Sequence, residues 1–342
     1  MNKQTRILTI DGGGIRGLIP ARILVSLERK LQQRTGRNDA YLAEYFDLIA
    51  GTSTGGLITC LLLAPGENEW TPAFTAQEIV DLYLNHGTEI FDAPLSKRIR
   101  SLNGLVDERY QATGFERLID ERVGDLWLSQ LIKPCLITAY DVTRRKAKFF
   151  TQHDARNDDK DYPIKVVARA TSAAPTYFEA MPGENGRTPY AYVDGGLFAN
   201  NPTMCAYVEA YRKLADQPTA ENMVILSLGT GQISRSYPYH NVKDWGMVQW
   251  IKPLIDIMMA GMSETVDYQM RQLFTAHGRS NSYLRLQATI AKDDTELAEM
   301  DNVTPANMER LLALGVQLAD EHEAELDALV EELLSVEEPT PA

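Results

Sequence analysis

The sequence predicts an α/β sandwich with a mainly parallel central sheet. Short apolar runs that are typical of strands alternate along the chain with amphipathic helical patterns, and this alternation indicates an α/β fold. Several of the strand-like runs are apolar without interruption, as expected for parallel strands that are buried on both faces. With 342 residues, of which 44% are hydrophobic, the chain can form one large domain with a sizeable core.

The first predicted unit is a strand, a glycine-rich loop and a helix. The strand RILTI (6–10) stops at the loop DGGGIRG (11–17), and Gly36 is the predicted end of the helix. The apolar residues of this helix recur at three- and four-residue steps and comprise Ile23, Leu24, Leu27 and Leu31.

The second unit repeats this plan. The run YFDLIA (45–50) is the predicted strand, and it leads into GTSTGGLITCLLLAPG (51–66), where Pro65 and Gly66 end a helix. One face of that helix is apolar and comprises Leu57, Ile58, Leu61 and Leu62. Further strands are predicted at residues 135–140, 148–150, 190–194 and 223–229.

Residues 66–130 depart from the alternating pattern. They contain one clear helix, from Ala76 to His86, and otherwise become polar and rich in loops. Two interpretations stay open: an insertion that covers a site, or a set of peripheral helices.

The C-terminal part, residues 304–336, predicts one or two amphipathic helices. Thr304 is the expected cap and Pro305 the first helical residue. Since no repeat or long linker is visible, we expect a single domain over residues 1–335 and a disordered tail over residues 336–342.

Charge and cysteine content exclude several classes of protein. A net charge of −13 and a pI near 4.9 disfavour nucleic-acid binding, which requires a basic surface. The three cysteines lie in apolar or small-residue surroundings without metal-ligand spacing, so we expect buried free thiols in a reducing compartment. The N-terminal apolar run is too short for a secretion signal, and we expect a cytoplasmic protein.

Ser53 is the first candidate catalytic residue. Together with Gly51 and Gly55 it forms a G-x-S-x-G sequence between a predicted strand and a predicted helix. In a nucleophile elbow the serine lies on a sharp turn of this kind, where the residues two positions away crowd each other and must be glycine. Ser53 is therefore predicted to be a nucleophile, with a simple glycine turn as the alternative.

The glycine loop is the second candidate feature. The N–H groups of Gly12, Gly13 and Gly14 precede a helix and can bind a phosphate or stabilise an oxyanion. An oxyanion hole is favoured, because the loop accompanies a second loop that carries a serine. Arg16 within it is either a structural ion-pair partner, which we favour, or an anchor for a substrate phosphate.

A dinucleotide-binding fingerprint is the competing interpretation of the same loop. Residues 12–17 fit G-x-G-x-x-G, but that motif also requires an acid at the end of the second strand. Asp39 and Glu44 have nearly the right separation, although their surroundings do not resemble a strand end. A P-loop is excluded because no G-K-[ST] follows.

Asp194 completes the candidate site. It ends the predicted strand YAYVD (190–194) and is followed by Gly195 and Gly196. Sites in parallel sheets gather at the carboxyl ends of strands, so this third strand end is expected beside the other two. None of the five histidines occurs in such a junction, and a Ser53–Asp194 dyad is favoured over a triad.

Taken together, these motifs resemble the patatin-like phospholipase family. DGGGIRG, GTSTGG and DGG occur in the family's order, and the similarity extends over roughly residues 5–320. Further similar segments are ARATSAAPTYF (168–178), SLGTG (227–231), DYQMRQLF (267–274) and NSYLRLQ (281–287).

The resemblance implies a three-layer α/β/α sandwich related to cytosolic phospholipase catalytic domains. It also implies that Ser53 is the nucleophile and Asp194 the general base, with an oxyanion hole formed by Gly12, Gly13 and Gly14. The residues expected to support these roles are Asp11, Arg16, Gly17, Gly51, Gly55, Gly195 and Gly196.

Activity and partners follow from the same resemblance. The family hydrolyses acyl esters of phospholipids, lysophospholipids or galactolipids without a metal or another cofactor. Some bacterial relatives are membrane-degrading effectors switched on by a cyclic nucleotide, so a small nucleotide activator is one alternative, although no motif here specifies it. Alternatives from other classes are a nucleotide-binding protein and a non-catalytic storage or interaction protein.

A lipid substrate implies transient contact with a membrane, expected at its inner face. Trp70, Phe74, Phe91 and the stretch WIKPLIDIMM (250–259) are candidates for an apolar rim. Packing in the protein core is the favoured explanation for each of them.

Overall fold

The computed structural model describes residues 4–68, 70–90, 113–156, 160–185, 188–233 and 236–335. Its strands are β1 (Thr5–Ile10), β2 (Leu48–Thr52), β3 (Cys135–Asp141), β4 (Lys146–Thr151), β5 (Met181–Asn185), β6 (Thr188–Asp194), β7 (Met223–Leu228), β8 (Gln232–Ile233), β9 (Tyr283–Leu286) and β10 (Thr289–Ile290). Its helices are α1 (Leu18–Thr35), α2 (Leu42–Tyr45), α3 (Thr54–Leu63), α4 (Ala76–Ile90), α5 (Thr113–Val123), α6 (Gln152–Ala155), α7 (Ile164–Thr171), α8 (Gly196–Ala199), α9 (Thr203–Lys213), α10 (Tyr239–Val242), α11 (Met247–Ala276), α12 (Thr295–Ala298), α13 (Pro305–Glu321) and α14 (Glu323–Leu334).

The central sheet is mainly parallel, as predicted. β1 pairs in parallel with β2 and β7, β2 with β3, and β7 with β9. The antiparallel pairs, β3 with β4, β3 with β6 and β5 with β6, are at one side of the sheet. A separate small sheet is formed by β8 and β10.

Helices cover both faces of this sheet, which confirms the three-layer arrangement. One face packs against α1, α3, α4, α13 and α14, with buried residues such as Leu24, Ile58 and Leu311. The other face packs against α9 and the second half of α11, through Ala206 and Phe274 among others.

The local predictions for the first and last helices are also confirmed. Helix α1 ends at Gly36, whose φ of 68° is the left-handed conformation that favours glycine. The C-terminal pattern forms two helices, and Pro305 occupies the first helical position of α13 after Thr304. The predicted tail, residues 336–342, lies outside the described residues.

The segment 66–130 contributes α4 and α5, while residues 91–112 lie outside the described part of the chain. Helix α4 belongs to the helical layer, since its Ile79 and Val80 are buried in the core. It is longer than the predicted span Ala76–His86 by one turn.

Core packing, the favoured explanation for the candidate rim residues, is wrong for several of them. Phe74 does pack against the core, but Trp70 is 84% exposed, and Phe91 lies outside the described residues. Among the described side chains of the stretch 250–259, the exposed ones are those of Trp250, Leu254, Ile257 and Met258.

One edge of β3 is shared by two strands that run toward each other. Strand β2 pairs with the first half of β3 and ends with Thr52 opposite Thr138. Strand β6 runs in the opposite direction and ends with Asp194 opposite the next residue, Ala139. The other edge of β3 is occupied by β4. The carboxyl ends of β2 and β6 therefore meet, and the residues that follow them are neighbours.

Candidate active site

Ser53 lies in a strained turn between β2 and α3. Its φ of 55° and ψ of −123° are rare for a residue with a side chain. A methyl group on Gly51 would overlap the backbone of Gly55, and one on Gly55 would overlap the carbonyl of Ile10. Glycine is therefore needed at both positions, and the strand–turn–helix context predicted for Ser53 is present.

Buried hydroxyl groups hold this turn in place. The Ser53 N–H donates to Thr171 Oγ1 at 2.8 Å, and Thr171 is the last residue of α7. Thr52 Oγ1 donates to the carbonyl of Ala199 at 2.7 Å and lies 2.8 Å from Thr138 Oγ1. The turn is thus anchored to β3, α7 and α8, and no local sequence pattern singles out Thr171 or Thr52.

Replacement of Thr171 by valine tests this anchor. The variant keeps the side-chain shape but leaves the Ser53 N–H buried without an acceptor, which costs about 1–3 kcal/mol. We expect kcat for a soluble ester to fall by about 10- to 100-fold, whereas Thr171→Ser should stay close to wild type. Equal rates for the two variants would show that the hydroxyl does not position Ser53.

Asp194 is buried beside Ser53. Its carboxylate Oδ1 accepts a hydrogen bond from the Gly196 N–H at 2.7 Å, and its own N–H donates to the carbonyl of Ala173 at 3.0 Å. Burial raises the pKa of Asp194 to about 6, while hydrogen bonds from the Ser53 hydroxyl and the Gly196 N–H act in the opposite direction. At neutral pH this carboxylate is ionised and is more basic than an exposed one.

The glycine loop lies against the serine. A methyl group on Gly12 would be 3.1 Å from Ser53 Cβ. The Gly12 N–H donates to the carbonyl of Asn200 at 3.1 Å, and the Gly12 carbonyl accepts from Thr230 Oγ1 at 2.6 Å. Gly13 and Gly14 line the pocket, and within the described residues no group accepts a hydrogen bond from their N–H groups.

A buried ion pair fixes the start of this loop. Asp11 is 1% exposed, and its Oδ1 accepts from Arg285 Nη1 at 2.9 Å. The same guanidinium donates to Ser227 Oγ at 2.9 Å and to Ser263 Oγ at 3.1 Å. In the sequence, the only indication that Arg285 belongs to the site is its position in NSYLRLQ, one of the segments that resemble the family.

Arg16 lies beneath the loop and does not line the pocket. Its Nη1 donates to the carbonyl of Gly231 at 3.3 Å, and burial lowers the pKa of its guanidinium. No ion pair of Arg16 occurs among the described residues, so the favoured ion-pair role is not seen, and its contact is with the backbone. Gly17 faces Thr54, the first residue of α3.

The acids required by a dinucleotide fingerprint are misplaced. Asp39 and Glu44 are both bonded to Arg37 at the surface and precede β2 in the chain. The end of the second strand carries Ser53 instead. The glycine loop therefore lacks the acid with which that fingerprint binds a ribose.

The pocket around these residues is mainly apolar. Ser53 and Asp194 line it, and all five histidines, which are described, lie elsewhere. Among the described residues, no cluster of three or more His, Cys, Asp or Glu is arranged to hold a metal ion. The apolar side chains that line the pocket include those of Leu57, Tyr83, Phe178, Leu197, Met259 and Met300.

In the described part of the chain, no helix combines the length and apolar character needed to cross a bilayer.

The layers and sheet order define a three-layer α/β/α protein with a serine turn and a glycine loop at one end of its sheet. The sequence model of the family described as "Patatin-like phospholipase" matches residues 8–207. Since this is more than half of the chain, the protein belongs to the patatin-like phospholipase family.

Curated relatives extend the similarity over most of the chain. "Patatin-like protein 2" of Oryza sativa subsp. indica is 32% identical, covering 95% of this chain and 86% of the relative. "Patatin-like protein 2" of Arabidopsis thaliana is 36% identical, covering 91% and 82%. "Probable inactive patatin-3-Kuras 1" of Solanum tuberosum is 32% identical, covering 93% and 87%. Membership supports a lipid acyl hydrolase, but the name of the potato relative shows that activity must be argued from the site of each chain.

Proposed function

We propose that this protein is a serine acyl hydrolase that cleaves fatty acyl esters of phospholipids or related lipids through a Ser53–Asp194 dyad. The observation that carries the proposal is the meeting of a strained serine turn with a buried aspartate of raised pKa, about 6, in an apolar pocket. The apolar side chains suit an acyl chain, and the two polar groups lie where its ester would be held.

In the first half of the reaction, Ser53 Oγ attacks the ester carbonyl carbon and its proton passes to the Asp194 carboxylate. A raised pKa makes this carboxylate a better base than an exposed one, while it remains ionised at neutral pH. Asp194 then gives the proton to the alcohol as the ester C–O bond breaks, which leaves an acyl-enzyme on Ser53.

In the second half, Asp194 takes a proton from water, and the water oxygen attacks the acyl carbon. The bond to Ser53 Oγ breaks, Ser53 regains a proton, and the fatty acid is released. We assign the oxyanion hole to the N–H groups of Gly13 and Gly14, while Gly12, bonded to Asn200, gives the loop its shape. The three free cysteines support placing the enzyme in the cytoplasm.

The test is to incubate the purified protein with phosphatidylcholine and lysophosphatidylcholine and to identify the products by mass spectrometry. We expect free fatty acid in stoichiometric amounts with the deacylated product. A fluorophosphonate probe, which reacts with activated serines, should modify Ser53. Neither product formation nor labelling at Ser53 is expected if the protein is a non-catalytic member of the family.

A further inference from the structure

Helix α11 is much longer than the strands on which it packs. Its 30 residues span about 45 Å, whereas the six residues of β7 span about 20 Å. Its second half is buried on the sheet through Met270 and Phe274. The helix leads directly into β9, which pairs in parallel with β7, so it ends at the amino ends of the strands. Its first half therefore projects past the carboxyl ends of the strands, where the pocket lies.

The projecting half of α11 has an apolar outer face. Among the described side chains of this half, the large apolar ones that are exposed recur at steps of three and four positions, which places them along one side of a helix. They are between 37% and 84% exposed, and we call them the apolar stripe: Met247, Trp250, Leu254, Ile257 and Met258.

The second half of the helix has a different surface. Tyr268 and Ala276 are exposed there, but its other exposed residues are polar or charged: Glu264, Thr265, Gln269, Arg271, Gln272 and Thr275. An exposed helix face in water normally has this polar composition. The change of composition coincides with the point where the helix leaves the sheet.

The apolar stripe is continuous with the pocket. Met258 belongs to the stripe, and the next residue, Met259, lines the pocket together with Ser53 and Asp194. Met259 Cε lies 3.8 Å from the position of a methyl group on Gly196, whose N–H binds Asp194. An acyl chain that leaves a lipid layer at the stripe would thus have a short apolar path to the reacting groups.

The aromatic residues at the start of the helix indicate a lipid surface as the occupant. Trp250 packs edge-to-face on Trp245 with ring centroids 5.1 Å apart, and Trp245 packs similarly on Tyr237 at 5.5 Å. Tyr239, two positions after Tyr237 in the chain, is 79% exposed. Tryptophan and tyrosine next to aliphatic side chains are typical of membrane–water interfaces. A net charge of −13 does not favour attraction to anionic lipid. Insertion of apolar side chains must therefore supply most of the free energy of binding to a lipid layer.

We propose that the apolar stripe of α11 is the surface by which the protein docks on a neutral lipid layer and receives its substrate. This inference rests on the acyl hydrolase function proposed above. It assigns the substrate as a lipid within a membrane rather than a dispersed monomer.

The test separates docking from chemistry. Leu254→Gln, Ile257→Gln and Met258→Gln are combined, since glutamine preserves helix propensity. Vesicle binding is measured by co-sedimentation with phosphatidylcholine vesicles in a Ser53→Ala background, so that the lipid is not digested. Hydrolysis of vesicle lipid and of a soluble short-chain ester is measured with Ser53 intact. The matched control replaces three other exposed residues, Val208, Tyr211 and Tyr268, by glutamine.

The stripe variant is expected to bind vesicles at least tenfold more weakly and to lose vesicle hydrolysis to the same degree, while its soluble-ester kcat/KM stays within twofold. The control should bind normally, and wild-type binding should persist at high salt. Unchanged vesicle binding by the stripe variant would overturn the inference. It would also be overturned if the wild type were a dimer and the stripe variant a monomer that binds vesicles as tightly as the wild type, because the stripe would then be a dimer interface. If the wild type hydrolysed neither the vesicle lipid nor the soluble ester, the proposed function would be overturned instead.

Discussion

Replacing Ser53 with alanine is expected to lower the rate of ester hydrolysis by about 10⁴- to 10⁶-fold, because the loss of a serine nucleophile removes the covalent route. The substitution deletes a single oxygen atom, and the Ser53 N–H that bonds Thr171 is retained. The fold should therefore be unaffected. The measurement is kcat/KM for a soluble p-nitrophenyl ester, accompanied by thermal unfolding of both proteins.

Ser172→Ala is the matched control. Ser172 lines the same pocket, but it follows α7 with a φ of −96° and is not on a strand–helix turn. Its loss should leave hydrolysis and fluorophosphonate labelling near wild type. If Ser172→Ala were as inactive as Ser53→Ala, or if Ser53→Ala kept a tenth of the activity, the nucleophile would have to be another residue.

The two strand–loop–helix units could be predicted because their signals are local. An apolar run, a glycine turn and a helical period lie next to each other in RILTI–DGGG and in DLIA–GTSTGG, and β1 and β2 form there. The parallel pairing of β1 with β2 follows from the helix between them. The helix brings the chain back to the end of the sheet at which β1 began, so that β2 runs in the same direction as β1.

The direction of β6 could not be predicted in this way. YAYVD has the same local pattern in a parallel or an antiparallel strand. The sequence-based expectation for Asp194 uses the rule for parallel strands, but β6 is antiparallel to β3. Asp194 reaches Ser53 because β6 and β2 pair with the same edge of β3 in opposite directions, so that their carboxyl ends meet. This pairing depends on residues that are far apart in the sequence. Strand β5 was missed for a related reason: Pro182 and Gly183 disfavour a strand, and pairing with β6 forms it.

Supporting residues of the site were also beyond local pattern. A threonine at the end of a helix, such as Thr171, has no feature that identifies it as the acceptor for an N–H more than a hundred residues away. For the stretch 250–259, core packing is the expectation from sequence, because apolar residues in a sequence do not reveal whether they meet protein or lipid.

Replacing Asp194 with asparagine is the second substitution for which we expect a large loss, of about 10²- to 10⁴-fold, because the general base is removed. Asparagine has nearly the same shape, and its Oδ1 can still accept from the Gly196 N–H. Reaction of Ser53 with a fluorophosphonate should slow in parallel, since both reactions require the serine proton to be accepted.

The pH dependence identifies the base. With a pKa of about 6, Asp194 is protonated below that pH and cannot accept the serine proton. Wild-type kcat/KM should therefore rise tenfold per pH unit up to about pH 6 and then level off, whereas the residual rate of Asp194→Asn should lack this step. His240→Ala and His277→Ala should retain both the rate and the profile. Loss of the step in either histidine variant would contradict the dyad.

The same substitution should stabilise the fold, which separates loss of a base from misfolding. The folded-state pKa of Asp194 is raised from 3.8 to about 6, so ionising it in the folded protein costs about 3 kcal/mol of stability at neutral pH. A carboxyl group with a raised pKa destabilises the folded protein only when it is ionised. The gain in unfolding free energy of Asp194→Asn over the wild type should therefore be complete above about pH 6. It should shrink between pH 6 and 3.8 and vanish below. Unfolding followed by denaturant at pH 7.5 and pH 4 measures this difference. A variant that is inactive and also less stable at pH 7.5 would argue that Asp194 supports the structure rather than the chemistry.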